Sequence, residues 1–256
     1  MKILLSLLLV AILPFVCFAQ SSDLEKIDTV LSKMSARARS EIKISDKEAF
    51  LSDLKAVFDE EKNFTQDDLS PYFLIDKKHN VSADYVPRDM VLLENNTLFN
   101  VNKPNMTLRR DAYKSLQEMC KAALRDGVKL LVSSAYRSYS YQERLFNNYV
   151  RADGLEAAER YSARPGTSQH QLGMAIDFGS ITDDFADTKM GRWVYNNAAR
   201  FGWTLSFPKG YEDITGYQWE CWHFRYVGNS AAKMQKKYFC DIQQYMLEFF
   251  DLWRKA

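Results

Sequence analysis

Histidine is scarce in this chain: 256 residues contain three, His79, His170 and His223. An excess of either charge is missing too, since 34 Lys and Arg face 33 Asp and Glu, a formal net charge of +1. With no basic run, the charge pattern gives a nucleic-acid partner no support. Cysteine is sparse at four. Cys17 lies in the N-terminal apolar run, so Cys120, Cys221 and Cys240 are left for the rest of the chain. An odd set permits one disulfide with one thiol left over and implies no disulfide framework. A chain of this length buries a core without one. After the N-terminal run, no segment is apolar enough to span a membrane, which takes about 20 residues.

That first run has the layout of a removable secretory signal. Lys2 precedes the uncharged stretch from Ile3 to Ala19, and Cys17-Phe-Ala19 forms a small-x-small cleavage site before Gln20. A retained anchor fits less well, because the run is short and contains Pro14. A lipoprotein signal at Cys17 would want small residues where Pro14-Phe15-Val16 stand. Cleavage removes Lys2 and leaves the exported chain formally neutral.

Residues 20–70 read as a helical N-terminal extension. Leu24, Ile27, Val30, Leu31 and Met34 recur at helical spacing, and Ser45-Asp-Lys-Glu48 has the capping-box pattern before a second apolar stripe. No residue there is a catalytic candidate. From residue 71 to 256 short strands and helices mix. Helices are expected over Thr107–Asp126, Tyr141–Ala152, 189–201 and Ser230–Trp253, and strands over Val128–Val132, Met174–Phe178, Trp203–Phe207 and Trp222–Val227. There is no regular βαβ alternation and no repeat, so the fold class is α+β.

Two stretches concentrate the chemistry: Ser168-Gln-His-Gln-Leu-Gly-Met-Ala-Ile-Asp177 and Glu220-Cys-Trp-His-Phe-Arg225. Two imidazoles and one carboxylate are a common ligand set for a catalytic zinc. A second carboxylate, Glu220, could act as general base on a water at such a metal. Asp177 sits inside an apolar strand, where a carboxylate is costly to bury unless a cation or several donors compensate it. The plainer alternative is hydrogen bonding to nearby backbone amides. Glu220 and His223 are three apart, on opposite faces of a regular strand. For both to reach one metal, the chain must bend at Cys221-Trp222, or the strand must start only at Trp222. Otherwise Glu220 would simply pair with Arg225 or another base. Arg137 follows a buried strand, a favoured place for a binding residue. It could hold a substrate carboxylate or an oxyanion, or merely pair with a surface acid. A thiol-protease reading of Cys221 beside His223 lacks an orienting group and an oxyanion hole. A structural zinc site would want closed, cysteine-rich coordination.

From about Tyr72 to Gly228 the chain closely resembles the VanY-like zinc D-alanyl-D-alanine carboxypeptidases, which trim peptidoglycan stem peptides. The resemblance runs through Asp84-Tyr-Val-Pro-Arg-Asp89, Ser134-Ala-Tyr-Arg-Ser-Tyr-Ser-Tyr-Gln142 and Ser162-Ala-Arg-Pro-Gly166. It continues through Ser168-x-His-x-x-Gly-x-Ala-x-Asp177, Asn197-Ala-Ala-Arg-Phe-Gly-Trp203 and Trp222-His-Phe-Arg-Tyr-Val-Gly228. Several motifs in order are specific where one short pattern is not. The resemblance implies zinc ligands at His170, Asp177 and His223, a base at Glu220 and a substrate-polarising arginine at Arg137. It places Ser168, Gln142 and Trp222 along the substrate groove. The implied fold is a compact α+β zinc-peptidase domain with a central antiparallel sheet flanked by helices, shared in outline with Hedgehog signalling domains. It also implies a peptidoglycan stem-peptide substrate and a place in the bacterial periplasm or cell envelope. Two positions depart from the family: Cys221 stands where proline is frequent, and Gln169 where glutamate is. The resemblance leaves open an L,D-carboxypeptidase, a related endopeptidase and a catalytically silent wall-binding module. Oligomeric state is not legible.

Overall fold

The computed structural model describes residues 13–64 and 68–256, with the backbone alone for residues 13–21. Residues 1–12 of the expected signal segment therefore lie outside the described residues. Three helices come first: α1 (Leu13–Lys33), α2 (Ala36–Glu41) and α3 (Lys47–Glu61). They are followed by β1 (Met90–Leu93), β2 (Phe99–Val101), β3 (Met106–Arg109), α4 (Arg110–Arg125), β4 (Leu130–Ser134), α5 (Tyr139–Asp153) and α6 (Leu155–Tyr161). The remainder is β5 (Ala175–Phe178), α7 (Lys189–Asn197), β6 (Trp203–Leu205), α8 (Glu212–Thr215), β7 (His223–Tyr226), α9 (Asn229–Tyr238) and α10 (Gln243–Lys255). The expected α+β class holds.

Five strands form the main sheet in the order β2-β4-β5-β7-β6, and β1 with β3 makes a separate antiparallel pair. The main sheet is antiparallel except at its edge, where β2 runs parallel to β4. β5 lies at the centre with all four residues buried. A strand covered on both faces reads as a continuous apolar run, and Asp177 is the polar residue inside it. The register sets Asp177 opposite His223 on one side and Ser134 on the other.

Some boundaries differ from the sequence reading. Thr107 belongs to a strand, because Met106 to Arg109 pair with β1 before α4 begins. The cap of α3 is Asp46, whose carboxylate accepts from the Ala49 N–H at 2.9 Å, one residue later than the capping-box pattern suggests. The single tail helix is two. Cys240 and Asp241 take left-handed backbone conformations, φ 53° and 62°, and the Gln235 amide donates to the Asp241 carbonyl and to its Oδ1. The three described cysteines, Cys120, Cys221 and Cys240, are free thiols.

The N-terminal helices share the main core. Ile27, Val30, Phe50 and Leu54 are buried in the same cluster as the sheet residues Val132, Ile176 and Phe224. Phe50 meets the rings of Tyr238 and Phe249 edge-on at 4.9 and 5.2 Å, so α3 is keyed to α9 and α10. Among the described residues no helix is long and apolar enough to cross a membrane.

Candidate active site

His170 sits in a short 3-10 turn, Gln169–Leu172, capped by the Ser168 hydroxyl, which accepts from the His170 N–H at 3.3 Å. Gly173 closes the turn in the left-handed region, φ 68°, and releases the chain into β5. A side chain there would be strained. Across the sheet, β7 begins at His223. The His223 N–H donates to the Glu220 carbonyl at 3.2 Å, closing a turn over Cys221-Trp222. That turn resolves the strand-face conflict, since it brings Glu220 Oε2 to 3.6 Å from His223 Nδ1.

The candidate ligand atoms converge. His170 Nε2 lies 3.3 Å from Asp177 Oδ2, and His223 Nδ1 lies 3.0 Å from Asp177 Oδ1. One donor atom from each residue falls within 4.8 Å of the others, and all three residues are buried. Tetrahedral ligands about 2.0–2.1 Å from zinc stand about 3.3 Å apart, close to the two His–Asp separations. The protonation pattern fits as well. His170 Nδ1 is 2.6 Å from the Ala135 carbonyl, which can only accept, so the hydrogen is on Nδ1 and the Nε2 lone pair faces Asp177. His170 Nε2 and Asp177 Oδ1 are buried without a hydrogen-bond partner. Orphaned buried polar atoms need a reason, and a shared cation supplies one for these two. The residues present fit a zinc ion.

The electrostatics point the same way. Burial, reinforced by the Arg137 charge, pushes the His170 imidazolium down to about 4, so the ring is neutral and able to ligate. Burial alone would raise Asp177, yet the facing imidazoles hold its carboxyl well below the usual range. Glu220 is pushed well above its ordinary value by burial and then by the Asp177 charge, with Arg137 opposing. A carboxylate raised this way has the affinity for a proton that a general base needs.

All eight residues singled out from the sequence line one cavity of about 320 Å³. Arg137 Nη2 is 3.6 Å from Asp177 Oδ2, and its Nε is buried without a partner. Gln142, 1% exposed, accepts from Arg137 Nη1 at 3.0 Å and donates to the Ala163 carbonyl at 2.8 Å. Its amide is thus engaged in holding the arginine. Arg225 does not meet Glu220; it donates to the Pro71 and Phe73 carbonyls at 2.7 Å each. His79 pairs with Asp76 at 2.8 Å, apart from the cluster. Tyr217 was missed in the sequence. It lines the cavity and its hydroxyl is buried without a hydrogen-bond partner, but it belongs to no motif that singles it out.

Two imidazoles and a carboxylate share one focus, with a further carboxylate beside them in a cavity, a group that could hold one metal ion. The comparisons agree. The VanY D-alanyl-D-alanine carboxypeptidase family model matches residues 105–229. A putative carboxypeptidase, YodJ, of Bacillus subtilis is 35% identical over 178 residues, 67% of this chain and 65% of that one. A D-alanyl-D-alanine carboxypeptidase of Enterococcus faecalis is 36% identical over 126 residues, 46% of this chain and 47% of its own. Among solved structures, the LdcB LD-carboxypeptidase is 33% identical with a TM-score of 0.60, over 70% of this chain and 84% of that one. The VanY D,D-pentapeptidase of a VanB-type resistance cassette, solved with Zn(II), is 31% identical with a TM-score of 0.55, over 64% and 92%. The chain belongs to the VanY-like D-alanyl-D-alanine carboxypeptidase family. It spans less than two thirds of the length of these two curated relatives.

Proposed function

We propose that the protein is a zinc-dependent carboxypeptidase that removes the C-terminal D-alanine from peptidoglycan stem peptides, acting after export at the bacterial cell envelope. The observation that carries this is the convergence of His170 Nε2, Asp177 and His223 Nδ1, with Glu220 3.6 Å from His223 and lining the same cavity. Zinc held by these three residues supplies Lewis acidity toward a water and the scissile carbonyl. Glu220 takes the proton of the attacking water and returns it to the leaving D-alanine amine. Arg137, held by Gln142, offers its guanidinium to the oxyanion that forms at that carbonyl or to the substrate carboxylate. Ser168 and Trp222 line the groove beside them. With base and ligands all in place, turnover is favoured over silent wall binding.

The likeness to the LdcB LD-carboxypeptidase supports a second reading, removal of D-alanine after an L-centre in tetrapeptides. The zinc chemistry is the same, and only the pocket for the preceding residue differs. Free D-alanine released from synthetic stem pentapeptide and tetrapeptide, with and without chelator and added zinc, separates the readings. Chelator-sensitive release from the pentapeptide supports D,D activity, and preferential release from the tetrapeptide supports L,D. No release from either by zinc-loaded protein overturns both.

A further inference from the structure

Behind His223 lies a buried chain of amides that the chemistry above does not use. His223 Nε2 is 3.1 Å from Gln169 Oε1, and Gln169 Nε2 donates to Gln243 Oε1 at 3.1 Å. Gln243 Nε2 donates to Thr204 at 2.7 Å for the hydroxyl and 3.3 Å for the carbonyl. The Ser206 hydroxyl bridges the two glutamine oxygens at 2.7 and 3.2 Å. Gln169, Gln243, Thr204, Ser206 and His223 are all buried.

The direction of this chain is set at its far end. The Thr204 carbonyl can only accept, so Gln243 must turn its NH2 toward it and its oxygen toward Gln169. Gln169 must then present NH2 to Gln243 and its own oxygen to His223. That oxygen can only accept, so Nε2 of His223 carries the hydrogen and Nδ1 keeps its lone pair toward Asp177. A reversed amide would place oxygen against oxygen or remove the acceptor from His223. A carboxylate at position 169 would likewise set acceptor against acceptor at Gln243.

We propose that Gln169 and Gln243 are matched positioning residues that lock His223 in the tautomer and orientation needed to bind the metal. Gln243 acts through Gln169. Because Gln243 is the first residue of α10, docking of the C-terminal helix becomes part of building the metal site. The inference rests on the reading that His170, Asp177 and His223 hold zinc. Partners of this kind are worth roughly 10- to 100-fold in metal affinity.

The test measures zinc affinity by chelator competition and the visible spectrum of the Co(II)-substituted protein, on the full chain. Gln169→Met and Gln243→Met should each weaken zinc binding at least tenfold and alter the Co(II) spectrum. The double variant should bind no more weakly than Gln169→Met alone. Phe249→Leu, a buried change on α10 away from the amide chain, should lower stability and leave zinc affinity and spectrum unchanged. If Gln243→Met does not fold, ¹⁵N spectra of the wild-type zinc protein decide: His223 should show a persistent, slowly exchanging Nε2 proton and metal at Nδ1. Wild-type affinity in Gln243→Met, additive losses in the double variant, or metal at Nε2 of His223 would each overturn the proposal while leaving the hydrolase reading intact. Wild-type protein that takes up no zinc removes that reading and this inference with it.

Discussion

Replacing Glu220 with Gln separates metal binding from proton transfer. The substitution keeps side-chain size and leaves His170, Asp177 and His223 untouched, so zinc should still bind one per chain. The group lost is the carboxylate 3.6 Å from His223 Nδ1, the acid in the site whose proton affinity is raised. General bases contribute roughly 10²- to 10⁴-fold, about 2.7–5.4 kcal/mol of barrier. Turnover should fall by at least a hundredfold. Stability should hold or rise, because a buried, desolvated carboxylate is exchanged for a neutral amide. The assay is D-alanine release from stem peptides at saturating substrate, with zinc stoichiometry measured on the same preparation. Turnover within about threefold of wild type, with one zinc bound, would refute the role of Glu220.

Three further outcomes are expected. Phe50→Ala, which empties a fully buried site among Tyr238, Phe239 and Phe249, should cost about 3–5 kcal/mol in denaturant unfolding without changing zinc stoichiometry; an unchanged midpoint would show that α3 is not part of the core. Gly191→Ala would set a methyl 1.8 Å from the Phe185 carbonyl oxygen, so α7 must shift, at roughly 1–3 kcal/mol, and an unaltered melting temperature would contradict that packing. The last concerns acid. The His170 imidazolium is pushed from 6.5 down to about 4 by burial and Arg137, so the unfolded chain binds this proton more tightly. The resulting stability is fully present above about pH 6.5 and lost as pH falls through about 4, at most about 3 kcal/mol. Glu220, raised in the fold, works in the opposite direction, so metal-free Glu220→Gln protein is the clean background. Its unfolding midpoint should drop between pH 7 and pH 4, and less so when His170→Gln is added; a flat profile would refute the assignment.

The two motif stretches held most of the groups that converge in the cavity, because metal chemistry needs particular residue types at close spacing. His170 and Asp177 are seven positions apart and Glu220 and His223 three, distances that one short turn can close. Periodicity located most helices for a similar reason, since burial of one face repeats locally. It failed at Thr107 and at the Cys240-Asp241 break. There, strand pairing with β1 and the hydrogen bonds from the Gln235 side chain to Asp241, six positions on, outweigh the helical preference.

What the amino-acid order singled out by itself was a set of candidate groups: two imidazoles, two carboxylates and one arginine. The tertiary structure alone decided how they meet. The opposition of Asp177 and His223 depends on β5 and β7 pairing in one register, and Gln169 reaches Gln243 across 74 positions of chain. The sharing of one core by the N-terminal helices and α10 is likewise beyond local reading. Such contacts are selected by the packing of whole elements against each other, and no window of neighbouring residues contains that information.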